Sequence, residues 1–416
     1  MTSSTASRVP SGVMLILVAT AIAGIAGYLV TFVVYRQIGA APYALFAVFW
    51  AAIYLVIGGL SGIQQEITRA TTLVEPRADR QASKARSFAV VLSCIVALSI
   101  VASAPLWAEA VFAANSWNLV WPLAVGAASY VLVATLSGSL YGAAQWRSVA
   151  LMTGADGILR LILLSIALLF TQDIVVLAWT VALPFPLVLL LLWPAIRGGF
   201  VGRTALDVGH RALSWNVART VLASASTAVL VSGFPLLLAT TAVGENQAFV
   251  GELIFTITLT RAPLIVTIMS LQSFLVVRFR DGQSSWLNLF IRVQGSILLG
   301  GVTLAGLGWW LGPDVFELVS GRPTLVGGEL IATLVMSSAL VAMLSVTAPA
   351  VLARGQHMVY SLGWLAAALT TVIVMLLPGE LVTRVSLALV LGPLAGLIVH
   401  SLWIATANRN RRSISF

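Results

Sequence analysis

Cysteine is almost missing from these 416 residues: Cys94 stands alone inside an apolar run. One cysteine cannot build a disulfide framework or a zinc cluster. Histidine is scarce as well, and His210, His357 and His400 lie too far apart in sequence for a metal-ligand spacing. A Walker A loop needs a lysine after its glycines, and the one lysine here, Lys84, sits in Ala82-Ser-Lys-Ala85. ATP hydrolysis by that route is therefore excluded. No pair of aspartates is spaced to hold a metal-bound sugar nucleotide, and no Ser/His/Asp set can be drawn. The loops expected on the outer side are short, the longest running from about 312 to 324, too small to carry the groups of a glycosyl polymerase or ligase. The expectation is a chain that is not an enzyme and uses no cofactor and no metal.

Charge is the second scarcity. Charged residues make up 9% of the chain and hydrophobic residues 59%, whereas a soluble domain averages about 25% charged. With a mean hydropathy of +1.01, the composition is that of an integral membrane protein. The net charge of +9 comes from 22 arginines and Lys84. Their placement accounts for them without a nucleic-acid partner, and none is expected.

Twelve apolar runs are long enough to cross a bilayer: about 12–34, 44–63, 87–106, 119–140, 150–170, 174–195, 218–242, 249–277, 290–311, 325–352, 358–377 and 381–405. The first is too long for a signal-peptide core and is followed at once by another, so it reads as an uncleaved helix. With the N-terminus inside, each cytoplasmic segment is basic, as in Arg69 to Arg86 and Arg197 to Arg219, while the outer loops carry Glu109, Asp173, Glu245, Asp314 and Glu317. That is the positive-inside pattern. It predicts both termini in the cytoplasm.

The fold class expected is all-α, about 12 transmembrane helices in two pseudo-symmetric six-helix lobes around a central cavity. The lobes would be 1–200 and 218–416, joined by a cytoplasmic linker at 201–217. Gly39 through Gln65 to Arg69 resembles Gly244 through Gln272 to Arg278, an offset close to half the chain. With an even number of spans in each half, such repeats have parallel topology.

Polar residues on the spans point to chemistry. The run 249–277 carries Glu252 and Arg261, with Pro263 just after the arginine. Each charge near mid-bilayer costs roughly 2.5–3.5 kcal/mol on insertion scales, so such groups face a partner or a wet cavity. Arg261 and Gln272 fall about 20° apart on the helix, and Glu252 lies about 180° away from Arg261. On span 1, Tyr28, Thr31 and Tyr35 share a face. On span 2, Tyr43, Tyr54 and Gln65 recur every eleven residues, about 20° apart per step. Two readings stay open for the tyrosines, an interfacial belt or a cavity line. For Gln64, Gln65, Glu66 and Arg69 the choice is a solvated helix end or an inner mouth. Gly58, Gly59 and Gly62 let a neighbouring helix approach closely. Asp156 and Arg160, at i, i+4, can neutralise each other as a structural pair. Arg36 either snorkels to the interface or joins the polar line. Pro184, Pro186 and Pro235 mark kinked or broken helices.

Several segments resemble the polysaccharide (oligosaccharidyl-lipid) flippase branch of the multidrug/oligosaccharidyl-lipid/polysaccharide (MOP) exporter superfamily, in its actinobacterial flavour. Ile38-Gly-Ala-Ala-Pro-Tyr43 with Ala44-Leu-Phe-Ala47 is similar to the family's segment after the first helix, with Ala44 where glycine is frequent. Gly62-Ile-Gln-Gln-Glu-Ile-Thr-Arg69, Tyr141-Gly-Ala-Ala-Gln-Trp-Arg147, Gly157-Ile-Leu-Arg-Leu161, Arg261-Ala-Pro-Leu264 and Leu352-Ala-Arg-Gly355 continue the likeness. The resemblance implies a secondary transporter that turns a polyprenyl-pyrophosphate-linked glycan from the inner to the outer leaflet by alternating access. Its partners would be that lipid-linked glycan, membrane lipids and enzymes of polysaccharide synthesis. Arg261, then Arg36, would meet phosphate; Gln65, Tyr28, Tyr54, Thr31 and Gln272 would line the cavity. The alternatives are a cation-coupled multidrug exporter of the same superfamily, with Glu252 as coupling residue, and a non-transporting scaffold of a synthesis complex.

Overall fold

A computed structural model describes residues 11–73, 79–200, 204–207, 209–261, 286–352, 354 and 356–413. Among the described residues the protein is helical apart from loops and one pair of three-residue strands. In order, the elements are α1 (Ser11–Ile38), α2 (Ala40–Ala70), β1 (Thr71–Leu73), α3 (Asp79–Phe112), α4 (Ser116–Gly142), α5 (Trp146–Leu168), α6 (Ile174–Ala182), α7 (Pro184–Phe200) and β2 (Thr204–Leu206). There follow α8 (His210–Ser232), α9 (Phe234–Thr241), α10 (described over 247–261), α11 (Trp286–Ser320), α12 (Gly328–Leu352), α13 (His357–Leu376) and α14 (Leu381–Ser413). Among the described residues, ten helical stretches are long and apolar enough to cross a membrane. This is a multi-pass membrane protein.

Two of the twelve expected spans are absent from those ten. The run at 249–277 passes beyond the described residues after Arg261, and Gln272 lies outside them. The run at 218–242 is not one helix but two, broken at Gly233. Pro235 in the first turn of α9 has no N–H to offer the carbonyl one turn back. The same chemistry divides span 6 at Leu183, where Pro184 opens α7; proline suits the first helical position because its missing donor would be unpaired there anyway. Asp173 caps α6, its Oδ1 accepting from Val175 N at 2.7 Å.

The chain forms two compact units: Met1–Gln37 with Val48–Ser232, and Ile38–Ala47 with Gly233–Phe416. In the first, Ile63 and Ile67 of α2 and Ala127 and Val131 of α4 form a core that also takes in Leu213 and Val217 of α8. Helix α8 lies on the glycine face of α2. A methyl added to Gly58 would stand 2.6 Å from Ala228 Cβ, and one on Gly59 3.3 Å from Ala225 Cβ. On Gly62 it would strike the backbone of Thr220 and Val221. The segment expected as a linker, 201–217, is tied down in its described part. Strand β2 pairs antiparallel with β1, Thr71 opposite Leu206, and Asp207 N donates to Ala70 O at 2.9 Å.

In the second unit, α11 packs on α12 and α13 on α14, as α3 packs on α4 and α5 on α6 and α7 in the first. Tyr43 sets its ring edge against Phe255 at 5.6 Å, and Phe255 meets Phe316 at 5.8 Å. Tyr35 and Tyr43 are each 1% exposed, so both are core residues.

The repeat seen in sequence has a local counterpart. Gly39, before α2, and Gly244, before α10, share a φ of +83°, a left-handed conformation open to glycine at little cost. A second correspondence joins the α4–α5 and α12–α13 turns. Gln145 precedes α5 with φ −82°, ψ 59°, and Gln356 precedes α13 with φ −92°, ψ 65°. Each donates its N–H to the carbonyl five residues back, Leu140 O at 2.8 Å and Val351 O at 3.4 Å.

Candidate functional site

The buried polar groups of the helices fall into separate clusters, and their hydrogen bonding differs from one to the next. In the first unit, the Asp156–Arg160 pair forms at 2.8 Å, with Arg160 only 3% exposed. A third member joins it that the sequence did not place there. Arg160 Nη1 donates to the hydroxyl of Tyr54 at 2.7 Å, and Nε donates to Val181 O at 3.3 Å. The guanidinium also lies 4.9 Å from the ring centre of Phe185, and Trp50 stacks on Tyr54 at 4.8 Å. Every arm of this arginine is occupied, and so is one side of Tyr54.

At one end of α2, Glu66 is 4% exposed and takes Arg69 in a two-armed grip, at 2.9 and 2.6 Å. Asn216 of α8 donates to the same carboxylate at 2.9 Å, and Arg69 reaches Asp207 at 3.5 Å. Next to Glu66 in the chain, exposed Gln65 donates to Ser224 Oγ at 3.2 Å. This end of α2 is tied to α8 and to the turn after β2 by these bonds, while Gln65 and Arg69 stay exposed. Nothing in the spacing could reveal Asn216, since it lies 150 residues from Glu66.

In the second unit, Glu252 is buried at 2% exposure near the start of α10. Its Oε1 accepts from Leu325 N at 2.6 Å, from Val326 N at 3.0 Å and from the Thr324 hydroxyl. The carboxylate thus ties α10 to the loop between α11 and α12. Nearby, Arg322 lies against Gly39. Arg384 donates to Met375 O at 3.0 Å and to Thr241 O at 3.3 Å, closing the carbonyl ends of α13 and α9 as cations at helix C-termini do.

Arg261, at the end of the described part of α10, has a buried Nε with no hydrogen-bond partner among the described residues; the Nε of Arg384 is in the same state, but both of its Nη atoms are taken. The Arg261 guanidinium lies 5.8 Å from the ring centre of Phe234. Among the described residues, no carboxylate lies within ion-pair distance of it. A buried guanidinium with an idle donor is ready to bind an anion or an acceptor, and its planar fork fits phosphate.

The remaining predicted positions lie in the first unit. Arg36 is exposed near the end of α1. Tyr28 is half-buried, and the buried Thr31 donates its hydroxyl to Tyr28 O at 2.8 Å, a bond within its own helix. Sequence reasoning passed over His400, which is fully buried. Its Nδ1 meets Thr347 Oγ at 2.7 Å, and its Nε2 faces Tyr360 O at 3.3 Å.

No family model matches the chain. An uncharacterised protein of Mycobacterium bovis is 32% identical over 395 residues, which cover 93% of this chain and 90% of the relative. Among solved structures, an inward-facing MATE family multidrug transporter of the MOP superfamily matches at a TM-score of 0.65 and 14% identity, over 96% of both chains. The lipid II flippase MurJ, in an inward closed conformation, matches at 0.66 and 11% identity, over 94% of this chain and 87% of that one.

Proposed function

Because the chain belongs to one family with the Mycobacterium bovis protein and has the fold of the MOP-superfamily transporters, we propose that it is a lipid flippase. It turns a polyprenyl-pyrophosphate-linked glycan, or a similar cell-surface precursor, from the inner to the outer leaflet of the bacterial cell membrane, with both termini in the cytoplasm. The observation that carries this reading is Arg261, a cation in an apolar run whose buried Nε has no partner among the described residues. Arg160 supplies the contrast: the same side chain, on another helix, is tied by Asp156, Tyr54 and Val181. A sugar-pyrophosphate head cannot cross hydrocarbon unaided. It needs donors that replace water, and charge-assisted bonds from a guanidinium are the strong ones. Alternating access avoids a continuous leak. Arg261 holds the phosphate, with Arg36 second, while Tyr28, Thr31, Gln65 and Gln272 line the sugar's path. Tyr54, whose hydroxyl accepts from Arg160, does so through its own O–H, which it can still donate. Membrane lipids and enzymes of polysaccharide synthesis are its expected partners.

Cation-coupled drug export is the competing reading, since MATE transporters have this fold too. It needs a free acidic residue for a cationic substrate or coupling ion. Glu252 is held by three donors from the 324–326 loop, which favours the flippase. The third alternative, a scaffold that moves nothing, predicts no specific lipid binding at all. A binding measurement separates these: purified protein is titrated with polyprenyl pyrophosphate and with the corresponding alcohol. The pyrophosphate should bind more tightly, and Arg261→Ala should remove about tenfold or more of that preference, the effect of a hydrogen bond to a charged group. Equal binding of pyrophosphate and alcohol would overturn the proposal.

A further inference from the structure

Helix α1 touches α5 at two levels. At one, the Trp146 ring lies against Gly12; at the other, a methyl on Gly157 would come within 2.7 Å of Ala23 Cα. The stretch from Gly12 to Ala23 covers about 16 Å of helix axis at 1.5 Å per residue. Along this stretch, and one turn past Gly157 to Ile162, the two helices together with Val188, Leu191 and Leu192 of α7 line a slot of about 510 Å³ that is open on its flank. Its length is about half the ~30 Å thickness of a bilayer's hydrocarbon core.

Volumes of roughly 300–1,000 Å³ are usual for small-molecule sites, but those sites carry a few placed polar groups. This slot is lined only by Ala, Gly, Ile, Leu and Val. No polar ligand can be recognised within it. A hydrocarbon chain suits it. Polar chemistry enters at one end: Arg147 is exposed, forms no ion pair among the described residues, and stands one turn before Leu151. It lies within about 40° of the slot-lining Leu151, Gly154 and Ile158 around the helix. Arg197, exposed, follows Leu192 toward the same end of the slot, and exposed Trp146 and Trp193 are there as well. Such aromatic residues favour the level of the lipid headgroups. An apolar slot of one-leaflet depth with a cation at its mouth is complementary to an anionic lipid.

We propose that this slot binds one acyl chain of an anionic phospholipid whose phosphate rests on Arg147. The site is distinct from Arg261 and does not depend on the transport reading. The test places a photoreactive phenylalanine derivative at Ile158 of the full chain. The protein is reconstituted in phosphatidylcholine vesicles that contain a minority of phosphatidylglycerol with the same acyl chains. Adducts are then identified by mass spectrometry. Phosphatidylglycerol should be captured about fivefold above its share of the membrane, the effect of one arginine near a charged lipid surface. Arg147→Gln should return its capture to that share. In Gly154→Leu, where the Cβ would meet only Ala19, at 3.9 Å, both lipids should be captured less. Arg147 is exposed, so its substitution decides the matter even if Gly154→Leu folds poorly. Adducts that follow vesicle composition in the unaltered chain would overturn the proposal. So would enrichment that survives Arg147→Gln, or preferential capture of added polyprenyl phosphate over phosphatidylglycerol.

Discussion

Arg160, in a candidate membrane span, and Arg261, at the end of the described part of α10, are in opposite states, and each state predicts a different mutant behaviour. We propose Arg160 as a structural cation. Asp156→Asn alone leaves it buried with only neutral partners, and breaking one side of such a pair costs roughly 3–5 kcal/mol. The double change Asp156→Asn with Arg160→Gln removes the charge altogether and should restore most of that loss. Thermal unfolding of the purified protein in detergent measures both; a double variant less stable than Asp156→Asn would contradict the assignment. Tyr54→Phe takes one hydrogen bond from the same cation and should cost about 1.5–3 kcal/mol. Only part of this cluster was legible in the sequence. Four-residue spacing announces the Asp156–Arg160 pair, whereas Tyr54 is 106 residues from Arg160, and their meeting depends on the register between α2 and α5. Arg261 was legible as a charge in an apolar run, but its unpartnered Nε was not, because that depends on what the neighbouring helices lack.

Helix α8 shows why element boundaries can be read from sequence while element allegiance cannot. Gly233 and Pro235 mark the break between α8 and α9. Nothing in that pattern says that α8 packs with the first unit. The cause lies on the facing helix, where Gly58, Gly59 and Gly62 leave room for Ala228, Ala225 and the Thr220 backbone. The glycines did announce a close neighbour, without naming it. Gly62→Leu should therefore overpack this contact and cost about 1–3 kcal/mol, read as a lower unfolding temperature. An unchanged unfolding temperature would mean that α8 is not held there. Glu252 was read as a candidate for ion coupling because a lone carboxylate in a membrane run invites that reading. Its three donors come from a loop more than 70 residues away, which spacing does not reveal. Glu252→Gln, which cannot present a charged acceptor to these donors, is expected to weaken the hold on the 324–326 loop. Faster amide exchange at Leu325 and Val326 would report it, and unchanged exchange would contradict the tie.

At the scale of the whole molecule, composition alone settled the membrane class and hydropathy placed most of the spans, because both follow from the cost of exposing polar groups to lipid. Half-chain similarity foreshadowed the shared turn geometry of Gly39 with Gly244. The topology remains a proposal with a direct check. With Cys94 replaced by serine, cysteines placed singly at Glu109, Glu245 and Asp314 should react with an impermeant reagent from outside, and cysteines within 70–86 and 195–217 should not. Outside labelling of the 195–217 segment would contradict the orientation. The central claim, that Arg261 holds the anionic head of a lipid-linked substrate during its passage, rests on one side chain. Its most direct test is outer-leaflet glycan lipid measured per folded molecule in cells carrying Arg261→Ala, with Arg261→Lys alongside. The prediction is that Arg261→Ala abolishes flipping at an unchanged level of membrane protein. Arg261→Lys, which keeps the charge but loses the planar fork, should retain partial activity at most. Normal flux per folded Arg261→Ala molecule would contradict the account.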